Sequence, residues 1–257
     1  MQLSPKTKQY AFVIQQLTSR EIKRKYARSY LGIVWSVLNP LLSMVVLSLI
    51  FSQLFRRSIE NYPIYYLTGY LLWQAFTGAT TTAMTTLADN KALLLKVKFP
   101  MELFILARVY TALLNLGYSF LAYAIMLAVF RITLRPTFIF FPVFVFFLFL
   151  FALGISYLLA SAYVFFGDIK HLYSVFLTLW MYCSAIFYPA EQLTGPIRIV
   201  IDNNPIYILI HCLRKAVLSG LLPTFFEWAG IVFWCVGSYL LGRYIFKKNR
   251  NTIMQKL

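Results

Sequence analysis

The chain has 257 residues, of which 60% are apolar and only 12% are charged. A soluble domain carries charge on roughly a quarter of its residues, so this composition excludes an ordinary water-soluble protein. The net charge is +16, but the basic residues cluster between long uncharged runs. This distribution argues against a nucleic-acid-binding protein and makes anionic lipid headgroups their expected partners.

Residues 1–28 are predicted to form an amphipathic helix that lies on the inner leaflet of a membrane. Its apolar stripe, at helical spacing, consists of Tyr10, Val13, Ile14 and Leu17. Its interfacial side chains are Arg20, Lys23, Arg24 and Tyr26. Thr18 and Glu21 match a capping box, which predicts a second helical start at that point. The alternative is an ordinary basic flank that stops membrane insertion. A cleavable signal peptide is not expected, because no long apolar core is present here.

Six apolar stretches are long enough to cross a bilayer, because about 20 helical residues span its hydrocarbon core. The predicted spans are residues 31–54, 64–87, 103–130, 138–165, 172–188 and 224–246. The last contains Glu227 and Arg243 near its ends, where long side chains reach the headgroups. None alternates like a strand. The predicted fold class is therefore an all-α membrane protein with six transmembrane helices.

The basic residues are divided unequally between the segments that connect these spans. With the N-terminus inside, the cytoplasmic segments hold sixteen Lys and Arg and the external segments hold seven. Arg108, inside the third span, completes the twenty-four. By the positive-inside rule, both termini are expected in the cytoplasm.

Two connecting segments are unusual. Residues 89–99 mix leucines with lysines and predict a short cytoplasmic helix that Pro100 ends. A polar hairpin would suffice as a connector, so the apolar excess indicates a docking surface. Residues 189–220, on the external side, are too apolar for a solvated loop and too interrupted for a span. They predict two short helices, at about 192–202 and 206–219. These form a hairpin that re-enters the membrane, or they rest flat on the outer leaflet.

The chain lacks the motifs of a nucleotide-binding or hydrolytic enzyme. GxxxxGK[ST], HExxH and GxSxG are all absent. No span carries an ionisable residue at its centre, which argues against an ion-driven carrier. Cys183, Cys212 and Cys235 have no metal-ligand spacing and are expected to pack as small apolar residues. Neither catalysis nor a cofactor is expected in this chain, and any transport is powered from elsewhere.

Two features could line a transport path. Thr77, Thr81 and Thr85 recur every four residues and predict one hydroxyl stripe on the second span. Alternatively, each Thr bonds the carbonyl four residues earlier, while small neighbours permit close helix packing. Sugar rings stack on aromatic faces, and the aromatic candidates are Trp35, Tyr70, Trp73, Tyr182 and Tyr188. Interfacial or lipid-facing positions are the alternative for these side chains.

Residues 20–42, REIKRKYARSYLGIVWSVLNPLL, resemble the signature opening of type-2 ABC exporter permeases that move polysaccharides such as O-antigen, capsule and teichoic acid. The residues that match in order are Ser29, Leu31, Gly32, Trp35 and Pro40. Weaker matches follow at residues 98–100, at Asp168 and Ile169, at Asn204 and Pro205, and at Arg214.

The resemblance implies a homodimer with the path at the subunit interface, and a separate ATPase subunit that binds ATP and magnesium. It implies that residues 89–99 are the coupling helix and that residues 189–220 hold the outer gate. The implied coupling residues are Asp89, Lys91, Leu94, Leu95, Lys96 and Lys98. The expected cargo is a lipid-linked polysaccharide leaving through the inner or plasma membrane of a bacterium. Alternatives are a drug, peptide or lipid exporter of the same fold, a membrane glycosyltransferase, and a passive channel.

The chain departs from the family pattern at two places. Gly167 stands where Arg commonly precedes the Asp-Ile pair, which removes a contact at the inner mouth and leaves the role of Asp168 open. Ser184 and Ala185 stand where Ser-Pro is common. Without the proline, the fifth span is expected to be straighter.

Overall fold

The computed structural model describes residues 5–27, 29–55, 59–96 and 99–257. Within these ranges every regular element is a helix and no strand is present, which confirms the all-α fold class. The α-helices are α1 (Pro5–Tyr26), α2 (Val34–Leu54), α3 (Tyr62–Asp89), α4 (Lys91–Lys96), α5 (Glu102–Val129), α6 (Phe141–Phe165), α7 (Ile169–Cys183), α8 (Pro196–Asp202), α9 (Pro205–Arg214), α10 (Phe225–Lys248) and α11 (Arg250–Lys256). Short 3-10 turns at Pro136–Phe140 and Ala190–Gln192 come before α6 and α8, and a π-helical turn at Lys215–Ser219 follows α9.

Four helices of the described chain are long and apolar enough to cross a membrane: α2, α5, α6 with its preceding turn, and α10. The other two predicted spans correspond to α3, which has 28 residues but many threonines, and α7, which has 15 residues. At 1.5 Å per residue, α7 is about 22 Å long, shorter than the hydrocarbon core. The count of six spans therefore stays a prediction.

Helix α3 is the centre of the bundle, where it packs against α2, α5, α6 and α9. Its side chains Leu67, Leu72 and Phe76 are fully buried. At one end α3 meets the segment that contains α8 and α9, and at the other it meets α4, next to Asn90, which is hydrogen-bonded to Arg20 of α1. We call these the hairpin end and the α1 end of the bundle, and residues 184–220 the hairpin.

Helix α6 approaches α10 closely where both carry small residues. A Cβ placed on Gly154 would lie 2.5 Å from the backbone carbonyl carbon of Ser238, and one on Gly242 would overlap the backbone of Gly154. Small residues at such a crossing let two backbones pack in direct contact, which is the usual way apolar helices associate in lipid.

The turn between α1 and α2 explains part of the signature opening. The Ser29 hydroxyl accepts a hydrogen bond from the Gly32 backbone N–H at 3.0 Å. Gly32 has φ +49°, a left-handed conformation that glycine adopts without steric penalty. Pro40 lies inside α2 and faces the bundle together with Ser36 and Met44.

Helix α1 is continuous, so the prediction of a second helical start at Thr18 and Glu21 is wrong. Both residues lie inside the helix and point at α5. The Thr18 hydroxyl donates to the carbonyl of Ala107 at 3.4 Å, and Glu21 pairs with Arg108. Because α5 supplies partners for both side chains, neither needs to cap a helix terminus.

Helix α7 ends at Cys183, five residues before the end of the predicted span, so the expectation of a straighter helix is wrong. Ala185 adopts a left-handed conformation with φ +46°. The carbonyls of residues 183, 185 and 186 accept hydrogen bonds from the side chains of Asn204 and Arg214. These tertiary hydrogen bonds replace the helical ones, and the chain turns without a proline.

Candidate functional site

A cavity of about 660 Å³ lies between α1, α2, α3 and α5 and reaches the middle of α3. We call it the α3 cavity. Its uncharged polar lining consists of Ser36, Asn39, Gln74, Thr77, Thr81, Thr82, Thr111, Asn115 and Ser119. Its charged residues, Glu21, Arg24, Lys25 and Arg108, lie at the α1 end. Hydroxyl and amide groups of this kind suit a solute with many hydroxyls, and they would be costly to bury against lipid.

The structure brings two of the three predicted threonines to this cavity. The Thr77 hydroxyl donates to the Trp73 carbonyl at 3.0 Å, and the Thr81 hydroxyl donates to the Thr77 carbonyl at 2.5 Å. Their oxygen lone pairs remain available to accept hydrogen bonds. Thr85 does not line the cavity, and its hydroxyl donates to Asp89 at 2.9 Å. The intrahelical bond and the cavity-lining position therefore coexist at Thr77 and Thr81.

The predicted aromatic residues are dispersed, and Trp35 is the member of the set that lines the α3 cavity. Trp73 is buried against Phe76 and Trp180, and Tyr70 stacks on Tyr66. The Tyr188 hydroxyl donates to the carbonyl of Tyr182, and Tyr182 is 56% exposed on the bundle surface.

A buried ion pair joins α1 to α5 at the α1 end. The guanidinium of Arg108 contacts the carboxylate of Glu21, and the two side chains are 9% and 8% exposed. Arg108 also lies 3.5 Å from the Asp89 carboxylate and donates to the Thr86 hydroxyl at 3.3 Å. One side chain of α5 therefore connects α1 to the last turn of α3.

A second link joins α1 to the start of α4. The Arg20 guanidinium donates to the side-chain oxygen of Asn90, the residue between α3 and α4. The Asn90 amide donates in turn to the Thr86 carbonyl at 2.8 Å. The Tyr26 hydroxyl lies 2.5 Å from the Ser36 hydroxyl. Arg20 therefore links α1 to the residue that precedes α4, and Tyr26 links α1 to Ser36 of α2.

The remaining predicted interfacial residues of α1 and the predicted coupling residues of 89–99 differ in exposure. Lys23 and Arg24 of α1, and Lys91 and Lys96 of α4, are exposed, as is Asp89 at the end of α3. Leu95 is 59% exposed, whereas Leu94 is 3% exposed and belongs to the core. Lys98 lies outside the described residues.

At the hairpin end, Arg214 of α9 is buried and holds the hairpin to α3. Its guanidinium donates to the backbone carbonyls of Tyr65, Ala185 and Ile186 at 3.1, 2.9 and 2.9 Å. It also lies 3.5 Å from the centre of the Tyr65 ring, a cation–π distance. Gly69 makes room for it, because a Cβ there would lie 2.7 Å from a guanidinium nitrogen.

Asn204 fixes the other side of the hairpin. Its side-chain oxygen caps α9 by accepting from the Ile206 N–H at 3.0 Å, and it accepts from the Trp180 indole at 2.9 Å. Its amide donates to the carbonyl of Cys183 at 2.9 Å and to the hydroxyl of Ser184 at 3.0 Å. Asn204 therefore joins the start of α9 to the end of α7.

Sequence reasoning gave Glu21 only a helix-capping role and assigned no contact to Arg108, Asn204 or Arg214, although the last two match the family pattern. The available signal for the first pair was an acidic residue facing the same way as the apolar stripe of α1, and an arginine inside an apolar span. Within the described ranges, no group of three His, Cys, Asp or Glu side chains is placed to hold a metal ion.

Comparison with known proteins identifies the family. Residues 13–218 match the model of the ABC-2 type transporter family, a range that runs from α1 to the hairpin. The chain is 34% identical over 219 residues to an O-antigen export system permease protein RfbA of Myxococcus xanthus, covering 84% of both chains. It is 26% identical over 218 residues to a protein of the same name from Klebsiella pneumoniae, covering 84% of this chain and 83% of the relative. These matches confirm the resemblance seen in residues 20–42, and the chain belongs to the ABC-2 type transporter family.

Proposed function

We propose that this protein is the membrane-spanning permease of an ATP-driven exporter and that its cargo is a lipid-linked polysaccharide. The strongest support for this proposal is the similarity, over 84% of the chain, to permeases named for O-antigen export. The α3 cavity supports the proposal, because its hydroxyl and amide lining suits a glycan and because Trp35 offers an aromatic face for a sugar ring. ATP and magnesium would bind to a separate ATPase subunit, and this chain would itself catalyse nothing.

The proposed topology has six spans in a bacterial inner or plasma membrane, with both termini and the α1 end in the cytoplasm. The unequal distribution of basic residues supports this orientation. At 1.5 Å per residue, α3 is about 42 Å long, enough to cross the bilayer. The interfacial helix is α1, and residues 189–220 of the hairpin form the external gate. The dense hydrogen bonding of Asn204 and Arg214 supports a hairpin that moves as one unit.

Cysteine labelling tests this topology. In a chain whose Cys183, Cys212 and Cys235 are replaced, an impermeant maleimide should label Glu60→Cys in intact cells. It should label Lys96→Cys only after the membrane is opened, because α3 separates the two exposed positions. Labelling of both variants in intact cells, or the reverse pattern, would contradict a membrane-crossing α3 with the α1 end inside.

The proposed ATPase contact consists of α1 and α4. Movement of an ATPase against α4 would reach α1 through Asn90 and Arg20, and α5 through Arg108, since these side chains are in direct contact. The exposed residues Lys91, Leu95 and Lys96 present an apolar side chain between two charges, which fits a docking surface.

Leu95→Asp should reduce co-purification of the ATPase subunit by at least about tenfold, because placing a carboxylate in an apolar contact costs about 2 kcal/mol or more. Met254→Asp is the matched control, since Met254 is a half-exposed apolar residue of α11, outside α4. Both variants should reach the membrane in normal amounts. Full retention of the ATPase by Leu95→Asp would remove α4 from the contact.

A homodimer is proposed on two apolar faces that this chain leaves uncovered. On α2 the exposed side chains are Leu42, Val45, Val46, Leu49 and Ile50. On α7 they are Leu172, Val175, Phe176, Leu179 and Tyr182. A second copy against α2 and α7 would bury these faces and place a path between the subunits.

Reconstitution tests the cargo and the energy source together. The permease and its ATPase, purified and placed in liposomes, should hydrolyse ATP at a rate that a lipid-linked polysaccharide changes severalfold and that an unglycosylated polyprenyl phosphate does not. Deletion of the gene should leave polymer on the cytoplasmic side while synthesis continues. Unchanged surface polysaccharide together with a new sensitivity to a toxic compound would assign the cargo to drugs instead. Transport that follows a proton gradient without an ATPase would contradict the whole proposal.

A further inference from the structure

A second cavity, of about 630 Å³, lies at the hairpin end and shares no lining residue with the α3 cavity. Its walls come from three parts of the chain: the connection before α3, the connection between α5 and α6, and the hairpin. We call it the hairpin-end cavity. Its volume is within the range of about 300–1,000 Å³ that is usual for ligand sites.

The walls of this cavity are held together by direct contacts. The Thr137 hydroxyl donates to the Ala216 carbonyl at 2.5 Å, which ties the α5–α6 connection to the hairpin. The aliphatic part of Arg135 lies against Gly220, where an added Cβ would be 3.1 Å from the Arg135 Cγ. Gly220 has φ +71° and ends the hairpin. The aliphatic part of the Arg135 side chain is therefore held in a defined position against the hairpin.

Four basic residues line the cavity, and two of them already have partners. Lys215 pairs with Glu227 at 2.9 Å, and Arg214 directs its donors to backbone carbonyls. Arg131 and Arg135 are the other two, and across residues 5–27, 29–55, 59–96 and 99–257 neither guanidinium has a hydrogen bond or an ion pair. Two guanidinium groups of the α5–α6 connection therefore remain available as donors among the lining residues.

Carboxylates and a phenol also line the cavity. The carboxylates of Glu60 and Glu191 line the cavity, and Glu191 lies 3.9 Å from the Nδ1 atom of His211. Burial lowers the pKa of His211, so its imidazole is mostly neutral at pH 7 and adds little positive charge. The phenol of Tyr207, 3.5 Å from the same nitrogen, also lines the cavity. The unpaired arginines thus belong to the α5–α6 connection, whereas the carboxylates belong to the connection before α3 and to the hairpin.

We infer that the hairpin-end cavity binds a glycosyl phosphate, with the phosphate on Arg131 and Arg135 and the sugar hydroxyls on Glu60 and Glu191. Guanidinium groups match phosphate oxygens in a bidentate geometry. Carboxylates repel a phosphate but accept hydrogen bonds from hydroxyls, so a ligand with both groups satisfies both the arginines and the carboxylates of the lining. This inference rests on the proposed function, since a lipid-linked glycan carries such a group where the sugar meets the lipid.

Binding to the purified full-length permease in phosphatidylcholine nanodiscs tests the site. The probes are N-acetylglucosamine 1-phosphate, inorganic phosphate and N-acetylglucosamine, measured by equilibrium dialysis. We expect the sugar phosphate to bind most tightly. Arg131→Gln with Arg135→Gln should weaken it by about tenfold or more, because two charge-assisted contacts are lost.

Arg198→Gln is the matched control, because Arg198 is a hairpin arginine that pairs with Asp202 and does not line the cavity. Its binding should stay within about twofold of the unchanged protein. Thermal unfolding verifies that the double variant is folded. If it is not, Arg131→Lys with Arg135→Lys keeps the charges and should still weaken binding through the lost bidentate geometry.

Three results would overturn the inference: equal binding by the double variant and Arg198→Gln, equal affinity for phosphate and the sugar phosphate, or complete displacement by phosphatidylglycerol added to the nanodiscs. The last would assign the site to bilayer phospholipids. The outcome is separable from that of the proposed function, because binding requires neither the ATPase nor transport. Intact binding without glycan-dependent ATP hydrolysis would contradict the proposed cargo, whereas glycan export with no binding here would contradict this site alone.

Discussion

Replacing Arg108 with leucine is expected to destabilise the folded protein by about 3 kcal/mol, because the Glu21 carboxylate would stay buried without its closest counter-charge. Breaking a buried ion pair by removing one partner typically costs about 3–5 kcal/mol. Arg20 and Arg24 also lie 3.5 Å from Glu21, but their side chains are 48% and 66% exposed, so they compensate only in part. The lower end of the range is therefore expected, as a fall in the thermal unfolding temperature in detergent.

Two further variants isolate the cause. Arg24→Leu removes an exposed charge beside the same carboxylate and should change stability by less than about 1 kcal/mol. Glu21→Leu with Arg108→Leu removes both buried charges, and such paired replacement is often close to neutral. The double variant should therefore be more stable than Arg108→Leu alone. Equal unfolding temperatures for Arg108→Leu and Arg24→Leu would show that the buried pair does not stabilise α1 against α5.

Replacing Arg214 with methionine is expected to loosen the whole hairpin. Three backbone carbonyls would lose their donor, and each buried unpaired carbonyl costs about 1–3 kcal/mol. Hydrogen exchange should become faster throughout residues 184–219, with little change in α6 and α10. Export should fall strongly if the hairpin is the external gate, because the gate would no longer move as one unit.

Arg198→Met and Gly69→Ala serve as comparisons for this result. Arg198 is on the same hairpin, but its pair with Asp202 is local to α8, so exchange elsewhere should be unaffected. Gly69→Ala would place a methyl group 2.7 Å from the Arg214 guanidinium and should cost about 1–3 kcal/mol through overpacking. In the presence of Arg214→Met this cost should largely disappear, since the crowded group is gone. Fully additive effects would contradict the placement of Arg214 over Gly69.

Much of the helical architecture was predictable from the chain. The apolar runs begin and end within about three residues of α2, α3, α5, α6 and α10, because hydropathy sums over neighbouring residues and needs no knowledge of the fold. The motif from Ser29 to Pro40 identified the family, and the family match confirmed it. The period of Thr77, Thr81 and Thr85 located one face of α3.

The tertiary structure decided which of these residues meet. Glu21 and Arg108 are 87 positions apart, and Arg214 reaches the carbonyl of Tyr65 across 149 positions. No local pattern encodes such contacts, since they exist only after α1 lies on α5 and α9 lies on α3. The same packing overrode two local signals. Helix α5 supplies the hydrogen-bond and ion-pair partners of the two side chains that resembled a capping box. Asn204 and Arg214 bond the carbonyls that follow α7, which therefore ends without a proline. Hydropathy and periodicity act within one helix, whereas partners for buried charges and carbonyls come from whichever helix is packed against them.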